Sequence, residues 1–295
     1  MTSVFIDSLF RRVPERETYA CRLGKAREVI AEADYVLVGA GSGLSVAAGL
    51  RFSGAAFQEA FSEFVERYGF EDLYTSSFYA FGSEEERWAY WARHIHFARF
   101  VPPALALYKD LLRLVGDRDY FVITTNVDGQ FRKAGFDTER LFEVQGDYAF
   151  LQCAHGCHEK RYYNEGLISE MLANTKDCRI PTDLVPHCPM CGDAMEPNLR
   201  KDAYFVEDEQ WHEQAGRYER FLTRAARHHC VFLELGVGYN TPSIIRFPFE
   251  RMNARTSRNT LIRLNRDFPQ RQMRGQGDFV GFSEDMAAVV TDLFV

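Results

Sequence analysis

Four short apolar segments, each ending near glycine, threonine or asparagine and followed by a helical pattern, constrain the fold of this chain most. They lie at residues 35–38, 120–124, 231–235 and 261–264. Strands that alternate with helices in this way are typical of βαβ units, which build parallel sheets. The sequence therefore predicts an α/β fold with a doubly wound parallel sheet of the Rossmann type. Such a sheet binds its ligands at the carboxyl ends of its strands.

Two stretches interrupt this alternation. Residues 55–100 are helical and aromatic-rich, and Ser83 with Glu86 forms a capping box that predicts a helix start. We expect these aromatic residues to form a helix core rather than a surface that stacks on a cofactor. Residues 150–200 show weak periodicity and hold five of the seven cysteines. We predict a Rossmann-type NAD-binding domain made of residues 1–55, 101–150 and 201–295, a helical module at 56–100 and a zinc-binding module at 151–200.

The charge balance disfavours some classes of partner. The 295 residues contain 35 Lys and Arg against 42 Asp and Glu, which gives a net charge of −7. Proteins that bind duplexes or membrane surfaces usually carry a basic patch, so we expect no nucleic acid and no membrane as partner. No apolar run approaches the ~20 residues that span a bilayer. The first apolar stretch breaks at Asp7 and has no basic leader, so we expect no signal peptide and a cytoplasmic location.

Two close-spaced cysteine pairs indicate a metal site. In a reducing cytosol such clustering favours metal over disulfides. Two pairs separated by a loop can close tetrahedrally on Zn²⁺, and four protein ligands would make that zinc structural rather than catalytic. His155, His158 and Cys178 are rival ligands, and unligated buried cysteines are the alternative interpretation. The predicted ligands are Cys153, Cys157, Cys188 and Cys191.

Residues 39–45 form a glycine-rich turn between a predicted strand and a helix. Such a turn lets backbone amides and a helix N-terminus face a pyrophosphate, although a tight turn with no ligand would also explain it. A dehydrogenase would place an acidic residue ~20 positions later to hold the ribose. Glu59 and Glu63 stand at that distance in a helical, aromatic context. An ordinary dehydrogenase is therefore disfavoured, but a dinucleotide is not.

Residues 125–128 follow the second predicted strand directly. Asn126 and Asp128 can offer an amide and a carboxylate to one ligand at the carboxyl end of that strand. The alternative is that these residues only cap the following helix.

Taken in order, these pieces resemble the sirtuins. Residues 41–50 are similar to the family's GAGIS…GI loop, residues 125–128 to its QNID motif, and residues 236–238 to its GTS turn. Cys153 follows Gln145 by the family's spacing between its catalytic histidine and first zinc cysteine. The resemblance implies that NAD⁺ binds between the Rossmann-type domain and the modules. It assigns NAD contacts to Ala40, Gly41, Ser42, Gly43, Ser45, Phe52, Thr125, Asn126, Asp128, Gln145, Gly236, Val237, Gly238 and Asn265.

Two departures from the family pattern indicate a particular branch. The family's catalytic histidine is replaced by Gln145, and its PDFR segment by residues 50–54, which keep only the aromatic Phe52 and lose the Asp and Arg as a pair. Both departures resemble the macrodomain-linked (class M) sirtuins, which act as protein ADP-ribosyltransferases. That resemblance implies a lipoyl-carrier protein similar to the glycine-cleavage H protein as substrate, and an operon-encoded macrodomain protein as a further partner.

The chemistry of glutamine favours transfer over deacylation. Deacylation needs a general base, which imidazole supplies, whereas a carboxamide has no usable basicity. Cleavage of the nicotinamide–ribose bond mainly needs orientation and stabilisation of an oxocarbenium-like centre. We therefore predict ADP-ribosyl transfer with Asn126 and Gln145 nearest the chemistry. We expect Asp128 to hold the nicotinamide carboxamide and Phe52 to cover the pocket. The alternatives are an NAD-dependent protein deacylase and a non-catalytic NAD-sensing module.

Overall fold

A computed structural model describes residues 17–294, so the expectation about the first seven residues lies outside the described part of the chain. Twelve α-helices are present among the described residues. A π-helical turn, His96–Phe100, extends the sixth of them. They are α1 Tyr19–Glu32, α2 Ser42–Ala47, α3 Ala55–Ala60, α4 Ser62–Tyr68, α5 Leu73–Ser76, α6 Glu84–Ile95, α7 Ala106–Val115, α8 Gln130–Lys133, α9 Glu165–Asn174, α10 Glu209–Ala225, α11 Arg246–Ala254 and α12 Met286–Asp292.

Nine strands in the described part of the chain form two sheets. The large sheet is fully parallel, with the order β3-β2-β1-β7-β8-β9, and the small sheet is antiparallel, with the order β5-β4-β6. The large sheet therefore has the Rossmann order, in which the third, second and first strands precede the fourth, fifth and sixth. The strands are β1 Tyr35–Ala40, β2 Asp119–Thr124, β3 Leu141–Glu143, β4 Gly146–Cys153, β5 Tyr162–Tyr163, β6 Met195–Leu199, β7 Cys230–Leu235, β8 Thr260–Leu264 and β9 Asp278–Phe282.

The predicted doubly wound parallel sheet is confirmed. All four predicted strands are present as β1, β2, β7 and β8, and they form the buried centre of the sheet. Successive side chains point to opposite faces: Val36 and Val38 pack in one apolar cluster, whereas Leu37 packs in another. The first cluster includes residues of α1, α7 and α12, and the second includes residues of α10 and α11. Helices therefore cover both faces of the sheet.

The residues of the two predicted modules share a third apolar cluster. Phe57 and Trp88 come from the helical stretch, and Ile168 and Met195 come from the cysteine-containing stretch. The aromatic residues of α6 are thus core residues, as expected. Strand β4 crosses the predicted boundary between residues 150 and 151. The division into a domain and two modules stays a prediction.

The capping box before α6 is present with one difference. Ser83 accepts a hydrogen bond from the backbone amide of Glu86, as predicted, but the Glu86 carboxylate accepts from the amide of Gly82 rather than from that of Ser83. Within residues 17–294, no helix has both the length and the apolar character needed to cross a bilayer.

Candidate active site

Two loops meet where the strand order of the large sheet reverses, between β1 and β7. The amide of Gly43, in the first turn of α2 directly after β1, donates a 3.0 Å hydrogen bond to the carbonyl of Gly236, in the loop after β7. A Cβ atom on either Gly41 or Gly43 would lie 2.8 Å from the Gly236 carbonyl oxygen. Gly236 itself has φ +61°, which favours glycine. Contact between two backbones thus requires these glycines, whereas the sequence motif alone indicates a pyrophosphate site.

Asn126 connects the segment after β2 to the glycine loop. Its Nδ2 atom lies 3.1 Å from the Gly41 carbonyl oxygen, 3.1 Å from Ser45 Oγ and 3.2 Å from the Tyr108 hydroxyl. Its backbone amide donates to Thr124 Oγ1 at 3.0 Å, which fixes the segment to the strand end. Its side chain is buried, and Oδ1 makes no hydrogen bond within residues 17–294. Oδ1 is therefore the atom of this carboxamide that is available to a ligand.

Asp128 is a buried carboxylate in the same network. It accepts hydrogen bonds from the Ser45 hydroxyl and, at 3.0 Å, from the backbone amide of Gln130. Burial raises the pKa of Asp128, and these two hydrogen bonds act in the opposite direction. Burial also raises the pKa of Tyr108, whose hydroxyl lies 2.8 Å from Ser45 Oγ, so the phenol stays protonated. The bond from Gln130 spans two residues and is not an N-cap bond, because the N-cap position of α8 is Gly129. The role of Asp128 toward a ligand stays a prediction.

A cavity of about 410 Å³ opens beside Asn126 and Asp128. A neighbouring cavity of about 460 Å³ shares the wall residues Ser42, Thr125 and Asn126 with it and adds Gln145. The two cavities therefore form one cleft. Its first part is lined by Ser42, Ser45, Phe52, Leu73, Tyr74, Ser77, Phe78, His94, Ala98, Thr125, Asn126, Val127, Asp128, Tyr148, Leu199 and Asn240.

Gln145 lies in the turn between β3 and β4, and its backbone is fixed. Its carbonyl accepts a 3.0 Å hydrogen bond from the amide of Arg200. The preceding residue, Val144, donates its amide to the carbonyl of Thr124 and accepts from Trp211 Nε1, both at 3.2 Å. The side chain of Gln145 makes no hydrogen bond in the described part of the chain and lines the 460 Å³ cavity. Gln145 therefore lines the cleft from a turn whose backbone is held by hydrogen bonds.

Two ion pairs, each with a buried carboxylate and a partly buried arginine, flank that turn. Arg99 donates to Asp147 at 2.7 and 3.0 Å, and Arg132 donates to Glu143 at 2.7 Å. Burial raises the pKa of Glu143, and the Arg132 guanidinium opposes this effect. Buried carboxylates that are paired in this way fix backbone positions, because removing the partner would leave a buried charge uncompensated. The two pairs hold the chain on either side of Gln145.

Asn265 joins the loop after β8 to the loop after β7. Its Nδ2 atom donates to the carbonyl of Val237 at 2.9 Å, and its Oδ1 atom accepts from the amides of Asp267 and Phe268 at 3.2 and 2.9 Å. All of its polar side-chain atoms are therefore engaged with backbone. Asn265 shapes this end of the sheet, and its contact with NAD⁺ stays a prediction.

The four predicted cysteine ligands lie together. Their sulfur atoms are all within 4.8 Å of one another, with Cys153 and Cys191 3.7 Å apart and Cys157 and Cys188 3.6 Å apart. Four sulfurs at ~2.3 Å from a tetrahedral ion would be separated by ~3.8 Å, so this arrangement fits zinc. Cys178 lies outside the cluster, in the shared apolar core of the modules.

The comparisons with known proteins support the assignment made from these residues. No protein-family model matches the chain. A protein ADP-ribosyltransferase of Staphylococcus aureus is 34% identical over 266 residues, which cover 90% of this chain and 84% of that protein. The chain belongs to the sirtuin-type protein ADP-ribosyltransferases. A probable bifunctional ADP-ribose hydrolase/ADP-ribosyltransferase of Fusarium oxysporum is 33% identical over 85% of this chain, which spans 43% of that longer protein.

Solved structures confirm the sirtuin fold of this transferase. Sir2Tm bound to a propionylated peptide has a TM-score of 0.54 at 16% identity, and covers 92% of this chain and 97% of its own. A complex described as Sir2-p53 peptide-NAD⁺ has a TM-score of 0.55 at 16% identity, with the same shares of the two chains covered. At this level of identity the likeness establishes the fold alone.

The structure brings part of the predicted site of this transferase together. The cleft walls contain Ser42, Ser45, Phe52, Thr125, Asn126, Asp128 and Gln145. The remaining predicted contacts do not line these two cavities. Backbone hydrogen bonds that hold the adjoining segments together are made instead by five of them: Ala40, Gly41, Gly43, Gly236 and Val237. The roles of all these residues toward NAD⁺, including that of Gly238, stay predictions.

Several residues of the cleft region were not predicted, and Tyr108, His94 and Tyr148 are three of them. Tyr108, on α7, completes the network around Asn126, and His94 and Tyr148 form part of the cavity wall. His94 belongs to a helix face whose aromatic residues were expected to be core, and it is indeed buried. The one sequence signal that could have indicated His94 as a site residue was its polar ring within that aromatic run. Tyr108 offered none, since its position in α7 is that of an ordinary core residue.

Proposed function

We propose that this enzyme transfers ADP-ribose from NAD⁺ to a side chain of a carrier protein. The bond between nicotinamide and the ribose C1′ atom breaks, and its electron pair leaves with nicotinamide. The acceptor side chain forms the new bond to C1′ and releases its proton. The observation that carries the proposal is the position of Gln145, which faces the same cleft as Asn126 from a rigid turn.

In this proposal Asn126 and Asp128 hold opposite ends of the reacting group. Asn126 Oδ1 is free to accept from a ribose hydroxyl, because the Nδ2 atom is occupied by Gly41, Ser45 and Tyr108. Asp128 has spare lone pairs that can accept from the nicotinamide carboxamide. Phe52 lines the same cavity and would cover the ring. A preorganised polar network of this kind stabilises charge without reorganisation during the reaction.

The geometry favours transfer over deacylation. Gln145 can orient a ribose or the incoming nucleophile by hydrogen bonding, but it cannot remove a proton from a ribose hydroxyl. Loss of a positioned general base costs roughly 10²- to 10⁴-fold in rate. His155 and His158 do not compensate, because they lie beside the cysteine cluster, with His158 Nδ1 3.0 Å from Cys157 Sγ. An NAD-dependent deacylase therefore remains the second candidate, and a non-catalytic NAD-sensing module the third.

A lipoyl-carrier protein is the acceptor that the cleft mouth supports best. Tyr74 and Phe78 line both cavities with side chains that are 59% and 70% exposed, and their rings are 5.1 Å apart. An exposed apolar wall of this kind fits a long aliphatic arm. Arg87, Arg200 and Lys201 also line the second cavity, and each of them forms an ion pair with a glutamate.

The cysteine cluster would hold one structural zinc ion through four thiolates, which leaves no open position for catalysis. The ion would tie β4 to the loop that precedes β6 and so support the wall that contains Gln145. We also propose that an ADP-ribose hydrolase of the macrodomain type removes the ADP-ribose that this enzyme attaches. The name of the Fusarium relative, which includes both a hydrolase and a transferase, supports this proposal. A cytosolic location and the absence of nucleic-acid partners belong to the same proposal.

A set of three incubations distinguishes the three candidate functions. The enzyme is mixed with NAD⁺ and three proteins in turn: a carrier protein without lipoate, the same carrier with lipoate, and an acyl-lysine peptide. Transfer predicts nicotinamide release together with a carrier that gains ADP-ribose. A deacylated peptide with an unmodified carrier would establish the second candidate. NAD⁺ binding without nicotinamide release would establish the third.

A further inference from the structure

His94 is a buried polar residue that has a hydrogen-bond partner within residues 17–294 for one of its two ring nitrogens. The side chain is 2% exposed and lies on α6, yet it lines the cavity beside Asn126 and Asp128. Its ring packs 4.8 Å from that of Trp91 and 5.1 Å from that of Tyr148. Nδ1 lies 3.1 Å from the Tyr90 hydroxyl, and Nε2 makes no hydrogen bond within residues 17–294.

The hydrogen bonds of Tyr90 determine which nitrogen of His94 carries the proton. The Tyr90 hydroxyl has one hydrogen, and it lies 3.1 Å from the Leu73 carbonyl oxygen, which can only accept. Both bonds are satisfied together when Tyr90 donates to Leu73 and accepts from His94 Nδ1–H. His94 Nε2 then carries a lone pair and acts as an acceptor. Burial supports a neutral ring, because it lowers the pKa of His94 to about 3.

His94 and Asp128 line the same cavity, and Tyr148 links their positions. Tyr148 packs edge-to-face on the His94 ring, and the Tyr148 amide donates a 3.0 Å hydrogen bond to the carbonyl of Val127, next to Asp128. The remaining walls are of mixed polarity, since they include Phe52 as well as Ser77 and Asn240. The cavity walls thus include two buried groups with acceptor atoms, the His94 ring and the Asp128 carboxylate.

We propose that His94 Nε2 and Asp128 together accept the two N–H bonds of the nicotinamide carboxamide, so that His94 sets the selectivity for a carboxamide on the leaving group. This inference rests on the proposed function, because it assigns the cavity to the nicotinamide end of NAD⁺. A primary carboxamide is a flat group with two donors on one nitrogen, and two acceptors in the walls of one cavity match those donors in number. An aromatic methyl ketone of the same shape has no donor and leaves both acceptors unpaired, which weakens binding.

The test compares the binding of NAD⁺, of 3-acetylpyridine adenine dinucleotide and of ADP-ribose by calorimetry. His94→Phe keeps an aromatic ring between Trp91 and Tyr148 but removes the acceptor. His94→Gln restores an acceptor oxygen near the position of Nε2. Wild type should prefer NAD⁺ over the acetylpyridine analogue, and His94→Phe should lower that preference by roughly three- to tenfold, the value of one neutral hydrogen bond. His94→Gln should retain most of the preference, and all three proteins should bind ADP-ribose equally.

The outcomes that overturn the inference are distinct. An unchanged preference in His94→Phe would show that His94 does not contact the carboxamide. A loss of ADP-ribose binding in both variants would make His94 a support of the ribose site or of the fold instead. A wild type that binds NAD⁺ but releases no nicotinamide with any acceptor would contradict the proposed transfer and leave the His94 contact standing. A wild type that binds neither nucleotide would overturn both.

Discussion

The side-chain nitrogen of Asn126 lies 3.1 Å from the backbone carbonyl oxygen of Gly41. This one contact joins the segment after β2 to the glycine loop after β1, across the edge of the sheet where parallel strands bind ligands. It also turns Oδ1 of Asn126 away from the protein network. The site is therefore organised by the same side chain that we propose to contact the ribose.

Asn126→Ala should abolish transfer while the protein still folds. Removal of one positioned polar group from such a network costs roughly 10²-fold or more in rate. The acceptors around Asn126 would lose their donor, which should lower the free energy of unfolding by about 1–3 kcal/mol. Tyr108→Phe is the matched control, since it removes a hydroxyl of the same network that does not line the cavity. It should retain transfer. Nicotinamide release and urea unfolding measure the two effects, and normal release by Asn126→Ala would reduce Asn126 to a brace between loops.

Gly236→Ala should separate the two loops at the centre of the sheet. A Cβ at this position would lie 2.3 Å from the Leu44 amide nitrogen, on a backbone with φ +61°. We expect a stability loss of about 1–3 kcal/mol and weaker NAD⁺ binding. A Cβ on Gly238 meets no atom within 4 Å, so Gly238→Ala is the matched control and should have little effect on stability. Equal thermal stability of the two variants would contradict the contact described here.

Cys188→Ser should release the metal and destabilise the protein sharply, because the binding energy of a structural zinc is folding energy. Wild type should contain about one zinc per chain. Cys21→Ser is the control, since Cys21 is exposed and lies outside the cluster. Metal analysis and thermal unfolding provide the readouts. A Cys188→Ser protein that keeps its zinc and its stability would show that the ligand set is wrong.

His94 should make the protein less stable in acid. Its folded-state pKa, lowered to about 3 by burial, is below the unfolded value of about 6.5. The unfolded chain therefore binds a proton between these values that the folded chain does not. The free energy of unfolding should fall, on account of this group, by up to ~1.4 kcal/mol for each pH unit below about 6.5. His94→Phe should lose this component, which urea titrations from neutral to acid pH would detect. Parallel pH curves for the two proteins would contradict a buried neutral ring.

The sequence predicted the centre of the sheet and one side of the cleft because both depend on local patterns. Apolar runs of four or five residues fit buried parallel strands, and Asn126 and Asp128 stand directly after one of them. Strand β3 has only three residues, and β9 lies at an edge where Asp278 begins it, so neither has a clear apolar run. Short edge strands of this kind depend on pairing with a neighbour.

The other side of the cleft depends on packing between distant segments. His94 reaches the cavity because α6 packs against the same core as β4, and Tyr108 reaches Asn126 across the sheet edge. No spacing in the chain records these contacts. The glycines after β1 were predicted, but their reason was not: the partner of Gly43 is Gly236, which lies almost two hundred residues later. Local sequence therefore indicates where the backbone must lack side chains, and the fold determines which segment packs against it there.

Gln145 provides the most direct test of the central claim, that a carboxamide in place of a base supports ADP-ribosyl transfer. The measurement is mass spectrometry of a lipoylated carrier protein and of an acyl-lysine peptide after incubation with NAD⁺ and wild type, Gln145→Ala or Gln145→His. We predict a carrier that gains one ADP-ribosyl group with wild type alone, NAD⁺ binding by all three proteins, and at most marginal deacylation by Gln145→His. Robust deacylation of the peptide by wild type, with no modified carrier, would contradict the account.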